Sequence, residues 1–268
     1  METAAMGFAA TVDSLLGNAD YFILLLLRVS GLVIPSPIFG RVNIPARAKI
    51  CLALALSFLF FFLFPGRPVA EYSTLFGFFL VCAGELLLGV TLAFVTNIFF
   101  TLMFTAGQLI DMQIGFGIVN VFDIQNNTQI PMMGNILNIL LIIVFFAVDG
   151  HLKLIHTIVL TVERIPIGTL IFSPATGVAA FEVFIRAFLL GVMVAMPVVA
   201  CGLTMQIILG VAMRMVPQIH MFVIGIPLKM IIGMFVFMAS LPIYVNFSEV
   251  IFSEMFNSVE IMFAQFVA

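Results

Sequence analysis

Apolar residues run along this chain in long unbroken blocks, and polar residues gather in a few short breaks between them. The charge-free stretches include Ile50–Gly66, Leu86–Ile110, Ile124–Val148, Ala187–Met213 and Met230–Ser248. An earlier run, Tyr21–Phe39, is apolar but carries Arg28. Crossing a bilayer as a helix takes roughly 20 apolar residues. The pattern therefore predicts apolar helical segments at 21–39, 48–64, 74–104, 132–149, 178–210 and 221–245. The runs are continuous rather than alternating, which favours helices over a membrane β-barrel. Segments 74–104 and 178–210 exceed one span, and long helices, tilted helices and helical hairpins all fit them. Pro197 removes a backbone donor and should kink or divide the second. Residues 165–176, with Pro166 and Pro174, read as a connector.

The C-terminal stretch 247–268 changes character. Val250, Phe252, Met255, Phe256, Val259, Met262, Phe263 and Phe266 recur near a 3.6-residue period, with Glu249, Glu254, Asn257 and Glu260 between them. That is an amphipathic helix against a surface or partner. Its acidic face argues against anionic headgroups.

Composition turns these runs into a class. The chain is 63% hydrophobic and 9% charged, with a mean hydropathy of +1.29. Soluble domains are about 25% charged, so this is an integral, all-α membrane protein read as a single domain over 1–268. The net charge is −3 with no basic tail, which excludes nucleic acid as a partner. Cys51, Cys82 and Cys201 stand singly in apolar runs, so no metal or redox motif is expected. The first 20 residues lack the basic start of a cleavable signal and read as mature sequence. Arg41, Arg47 and Lys49 favour a cytoplasmic loop after the first run; alternation then puts Arg214 on that side and Arg67, Lys153 and Arg164 on the other.

Some charges sit where charge is expensive. Arg28 lies within LLLLRVSG, and an arginine near a bilayer centre costs at least about 2.5–3.5 kcal/mol. Glu85, within CAGELLLG, is a similar outlier and a candidate partner. Glu182 and Arg186 have the i, i+4 spacing of a pair along one helix. An ion or proton path and a structural role in subunit contacts both accommodate these charges. Their mixed sign, with no relay of Asp, Glu and His, favours the structural role. Asp149-Gly150-His151 reads as a turn with a capping aspartate; His156, five residues on, is not on one face with His151, so zinc is a poor reading. Arg214, Pro217, Gln218, Gly225, Pro227 and Lys229 form a passage of proline, glycine and base that needs burial in protein. Met230, Met234 and Met238 share a helix face and read as gap-filling in helix packing rather than as a deformable seal. The 31 Phe and absent Trp leave little for an aromatic belt.

The most unusual segment is GQLIDMQIGFGIVNVFDIQNNTQIP at 107–131, a glycine-bearing polar island between greasy runs with no Lys or Arg. Its glycines permit turns or close approach. Ile114, Phe116 and Ile118 supply bulk, while Gln108, Gln113 and Asn120 supply neutral hydrogen bonding. A loop of this length is functional or disordered, and this one is too hydrophobic for disorder. It is bulky enough to seal a pore and polar enough to meet water.

GQLIDMQIGFG at 107, NVFD at 120, DGH at 149, RMVPQ at 214 and GIPLK at 225 occur in an order and spacing that, with Arg28 and the Pro35 region, resemble the FliR family. These are flagellar type III export-gate subunits, with SctT proteins as their virulence-secretion counterparts; GFG and NVFD look more flagellar. The resemblance implies a non-enzymatic, cofactor-free inner-membrane protein of the flagellar basal body. It implies assembly with FliP and FliQ into a gate for unfolded exported proteins, with FlhB and FlhA associated and membrane lipid around it. It implies kinked apolar helices and helical hairpins, a FliP-like portion followed by a FliQ-like C-terminal hairpin. The family's plug carries over onto a loop at 107–123, with Gly107, Gln108, Asp111, Met112, Gln113, Ile114, Gly115, Phe116, Gly117 and Asn120 as gate residues. Arg28, Glu85, Arg214, Pro217, Gln218 and Lys229 are the assembly set. Ile124 stands where the family commonly has Pro, and His220 where it commonly has Asn. The rival class, a small-solute transporter, needs a midplane site between inverted repeats, and no convincing repeat is present. A membrane enzyme would need a paired base and nucleophile or a metal set, and none is legible.

Overall fold

A computed structural model describes residues 17–65, 72, 74–116, 131–169, 174–215 and 221–266. The described elements are helices: α1 (Ala19–Val33), α2 (Ala46–Leu63), α3 (Leu75–Ile114), α4 (Met132–Ala147), α5 (Gly150–Arg164), α6 (Pro174–Met215), a π-helical turn (Met221–Gly225) and α7 (Ile226–Ala264). They form two compact units, each built from separated stretches of chain. One takes in Met1–Asn97, His151–Ala180 and Asn257–Ala268; the other takes in Ile98–Gly150 and Phe181–Phe256.

Among the described residues four helices are long and apolar enough to cross a membrane, or five if the bent pair α4 and α5 is one span. The expected span at 21–39 is instead the 15-residue α1, which stops at Val33. Pro35 and Pro37 come directly after it and cannot donate to the helix. At 1.5 Å per residue α1 reaches only about 23 Å. One face of it is buried in protein: Tyr21, Leu24, Leu25, Val29 and Leu32 form a stripe at i, i+3, i+4 spacing. The stripe packs on α2, where the Tyr21 and Phe61 ring centroids lie 5.7 Å apart and the Tyr21 hydroxyl donates to the Phe64 carbonyl at 3.0 Å. The loop between α1 and α2 is tied down by Lys49 Nζ, which donates to the Gly40 carbonyl at 2.7 Å. Outside the spans, the Tyr72 phenol donates to the Asp20 carboxylate. That hydrogen bond holds the phenol pKa above its ordinary value.

The two long runs are continuous helices, not hairpins. Helix α3 has 40 residues and α6 has 42. Pro197 lies inside α6 without dividing it; membrane helices tolerate such a proline where neighbouring groups or a local helix adjustment re-satisfy the carbonyl it frees. The segments expected separately at 221–245 and 247–268 are one 39-residue helix, α7, preceded by a π-helical turn and running through Pro242. The amphipathic period was real, since Ile251, Phe252, Met255, Val259 and Met262 are buried. It marks a change in what the helix faces, not a break in it.

Helix α5 was not expected. Its charged ends interrupt the apolar run, yet Leu154, Ile158, Thr161 and Val162 make a buried stripe. The turn expected at Asp149 is present: Asp149 has φ 55° and stands between the end of α4 and the start of α5. A left-handed aspartate ends a helix at less cost than most residues. Gly150 is required next to it, because a Cβ there would lie 2.4 Å from the Phe145 ring. That ring packs against Phe100 and Phe252, with centroids 5.5 and 5.2 Å away.

Candidate functional site

The island predicted as a loop from residue 107 begins as helix. Helix α3 continues through Gly107 to Ile114, so the residues from Gly107 to Ile114 expected in a gate loop are helical, and the chain leaves the helix only at Gly115. The reason is that Gly107 serves close approach, not a turn. A Cβ on Gly107 would lie 2.0 Å from both the N and the Cα of Gly134 on α4. Two glycines thus let α3 and α4 touch backbone to backbone.

One turn later, Asp111 is 3% exposed and its Oδ1 accepts the Met133 N–H at 3.3 Å. The first turn of α4 has no capping side chain of its own, since Pro131 precedes it. Asp111 supplies an acceptor and a negative charge to that helix N-terminus from outside. Among the described residues its Oδ2 has no hydrogen-bond partner.

The last turn of α3 is seated on α6 and α7. Gln113 lies against Gly202, where a Cβ would sit 3.2 Å from the Gln113 side chain, and its Oε1 accepts from Lys229 Nζ at 3.4 Å. Ile114, 1% exposed, fills the space over Gly233, where a Cβ would sit 2.8 Å from Ile114 Cγ1. Gly115 then ends the helix with φ 105°, its N–H donating to the Asp111 carbonyl at 3.0 Å. Ile226 and Met230 lie beside it. Gln108 and Met112 face outward from the helix, and Phe116 is half-buried. Gly117 and Asn120, like the rest of 117–130, lie outside the described residues.

The charge outliers of the other unit do meet. Arg28 and Glu85 are 1% and 0% exposed and form a forked pair, with Nε to Oε2 at 2.5 Å and Nη2 to Oε1 at 3.0 Å. The remaining Arg28 nitrogen, Nη1, donates to the Thr161 and Ile165 carbonyls at 2.8 and 3.2 Å. The Gly168 N–H donates to Glu85 Oε1 at 2.7 Å, from a turn where Gly168 has φ 88°. The pair is short because its helices cross at Gly31 and Gly89: a Cβ on Gly89 would lie 2.3 Å from the Arg28 carbonyl oxygen. The connector at 165–176 is therefore part of this cluster through Ile165 and Gly168, which charge patterning alone did not reveal.

The remaining expectations separate. Arg186 approaches Glu254 Oε2 of α7 at 3.9 Å rather than pairing with Glu182; Arg186 is exposed and the contact is at the outer limit of an ion pair, so it is worth about 0–1 kcal/mol. Arg214 is exposed in the last turn of α6, where a cation suits the helix dipole. Pro217 and Gln218 lie outside the described residues. The seats missed by sequence reasoning are Gly134, Gly202 and Gly233, each a glycine inside a charge-free run.

Residues 19–255 match the profile of the family described as bacterial export proteins, family 1. The flagellar biosynthetic protein FliR of Escherichia coli K12 is 32% identical over 232 residues, covering 87% of this chain and 88% of that protein. The chain belongs to the FliR family of bacterial export proteins. The FliR protein of Pectobacterium carotovorum is 29% identical over 235 residues, covering 86% of this chain and 88% of its own. That of Bacillus subtilis 168 is 28% identical over 218 residues, covering 80% and 83%. The family match encloses both the buried Arg28–Glu85 cluster and the seated end of α3.

Proposed function

We propose that this chain is a non-enzymatic subunit of the flagellar type III export gate in the bacterial inner membrane. It forms, with FliP and FliQ, the channel for unfolded flagellar substrates, in the basal body where FlhB and FlhA associate. The end of α3 and the segment after it, 107–123, help to close the resting pore. The observation that carries the assignment is family membership over residues 19–255, with relatives named for flagellar biosynthesis.

Helix length supports an assembly rather than a lone carrier. Helices α3, α6 and α7, of 40, 42 and 39 residues, are each about 60 Å long. Even tilted by about 40°, such a helix extends about 45 Å along the bilayer normal, against a hydrocarbon core of about 30 Å. The apolar exposure of α6 runs from Val178 to Met215. The part beyond the hydrocarbon needs protein to cover it.

The gate role has a structural basis in the seat of α3. Asp111, Gln113, Ile114 and Gly115 fix the point from which the next segment departs. Co-purification tests the assignment: a discrete complex forming only with FliP- and FliQ-like partners is expected, and a chain that ignores them overturns it. Deleting Ile114–Gly117 is expected to leave assembled complexes that conduct small ions, measured as dye or ion flux across the membrane. Assembled but tight complexes would remove the gate role and leave the subunit assignment standing.

A further inference from the structure

The first unit carries an open groove of about 640 Å³ along α2, lined by Phe22 of α1 and by Arg47, Ile50, Cys51, Leu54, Ala55 and Phe58. We propose that this groove holds one acyl chain of an anionic phospholipid whose phosphate is bound by Arg47. The lining positions on α2 fall at i, i+3, i+4, i+7, i+8 and i+11, a single stripe down one helix face. From Arg47 to Phe58 that stripe is about 16 Å long, half of a hydrocarbon core of about 30 Å. A base at one end of an apolar track one leaflet deep matches a lipid with its headgroup at the interface and its chain along the helix.

Charge selects the lipid. Arg47 is the charged group of the lining, it is exposed, and among the described residues it has no ion-pair or hydrogen-bond partner. Neighbouring Lys49 is already committed to the Gly40 carbonyl. Residues 41–65 contain Arg41, Arg47 and Lys49 and no Asp or Glu, so nothing in this stretch neutralises the site. Ile50, Leu54 and Phe58 are 53%, 42% and 46% exposed, leaving the track open along its side. A partner helix is the competing occupant, and it would have to bring a carboxylate to Arg47.

The absence of tryptophan from the chain gives a clean test. The full chain carrying Phe58→Trp is reconstituted in bilayers with brominated phosphatidylglycerol or brominated phosphatidylcholine, and quenching of the indole is measured. Leu54→Trp is the second reporter should the first fail to fold. Met196→Trp, at an exposed position of α6 with no charged residue within nine positions on either side, is the control. The groove reporter is expected to prefer the anionic lipid about five-fold, the effect of one interfacial base. Arg47→Gln should bring that ratio to about one, and the control should sit near one throughout. Equal quenching by both lipids at the groove overturns the proposal. So does a groove reporter that neither lipid quenches while the control is quenched, since protein then covers the track.

Discussion

Arg28→Ala should destabilise the chain by about 3–5 kcal/mol and leave too little folded protein for assembly with partners. The cost does not come from losing a favourable ion pair, because desolvation of two buried charges largely offsets their attraction. It comes from the groups left behind. Glu85, fully buried, would keep only the Gly168 N–H at 2.7 Å. The Ile165 carbonyl would lose the Arg28 Nη1 donor, while the Thr161 carbonyl would keep only the Ile165 N–H at 3.1 Å. Unpaired buried groups cost more than well-made bonds contribute. The sharper form of the prediction is a double-mutant cycle. R28L/E85L removes both charges and replaces them with apolar volume, so it should cost less than either R28L or E85L alone. Thermal unfolding in detergent, monitored by protease resistance, reads all three. Single variants that melt with the parent would show that the pair is not buried in the folded protein. A double variant as damaged as the sum of the singles would show that Arg28 and Glu85 act separately. Parent-like stability with lost export would make Arg28 a transport residue.

The legibility of each feature in the sequence depends on how its signal is encoded. Lone charges in apolar runs are costly enough that Arg28 and Glu85 pointed to each other across 57 positions. The rest of their cluster is backbone: the Thr161 and Ile165 carbonyls and the Gly168 N–H leave no residue-type signature. Helix boundaries failed where one residue serves two purposes. The glycines of the island leave turn and close approach equally open: Gly107 serves the second by letting α3 touch Gly134, and Gly115 the first, ending the helix with φ 105°. The boundary at 247 failed because a helix can change its surroundings without ending. Helix α5 was missed because charge-free length was the criterion, although its stripe at Leu154, Ile158 and Val162 has ordinary helical spacing. Membrane class and family were legible because they rest on properties of the whole chain, runs and motif order, that no single boundary error disturbs.

Gly107→Val should have the largest effect of any single substitution near the proposed gate. Its Cβ would have to occupy space 2.0 Å from the N and Cα of Gly134. Those are backbone atoms, so no rotamer change relieves the overlap and the two helices must separate. Overpacking of an ordinary core costs about 1–3 kcal/mol, and a backbone-to-backbone crossing with no flexible neighbour belongs above that range. Separation would also pull Asp111 from the Met133 N–H and leave the first turn of α4 without its acceptor. The prediction is loss of folded chain, with flagellation lost as a consequence. Gly210→Ala is the matched control. It is a helical glycine of α6 with nothing within 4 Å of a would-be Cβ. There the added methyl should stabilise by about 1 kcal/mol through helix propensity alone. Parallel melts and membrane abundance of the two variants separate crowding at one crossing from a general intolerance of glycine replacement. A Gly107→Val chain that accumulates and melts like the parent would remove the α3–α4 crossing, and with it the seat from which the proposed gate segment departs.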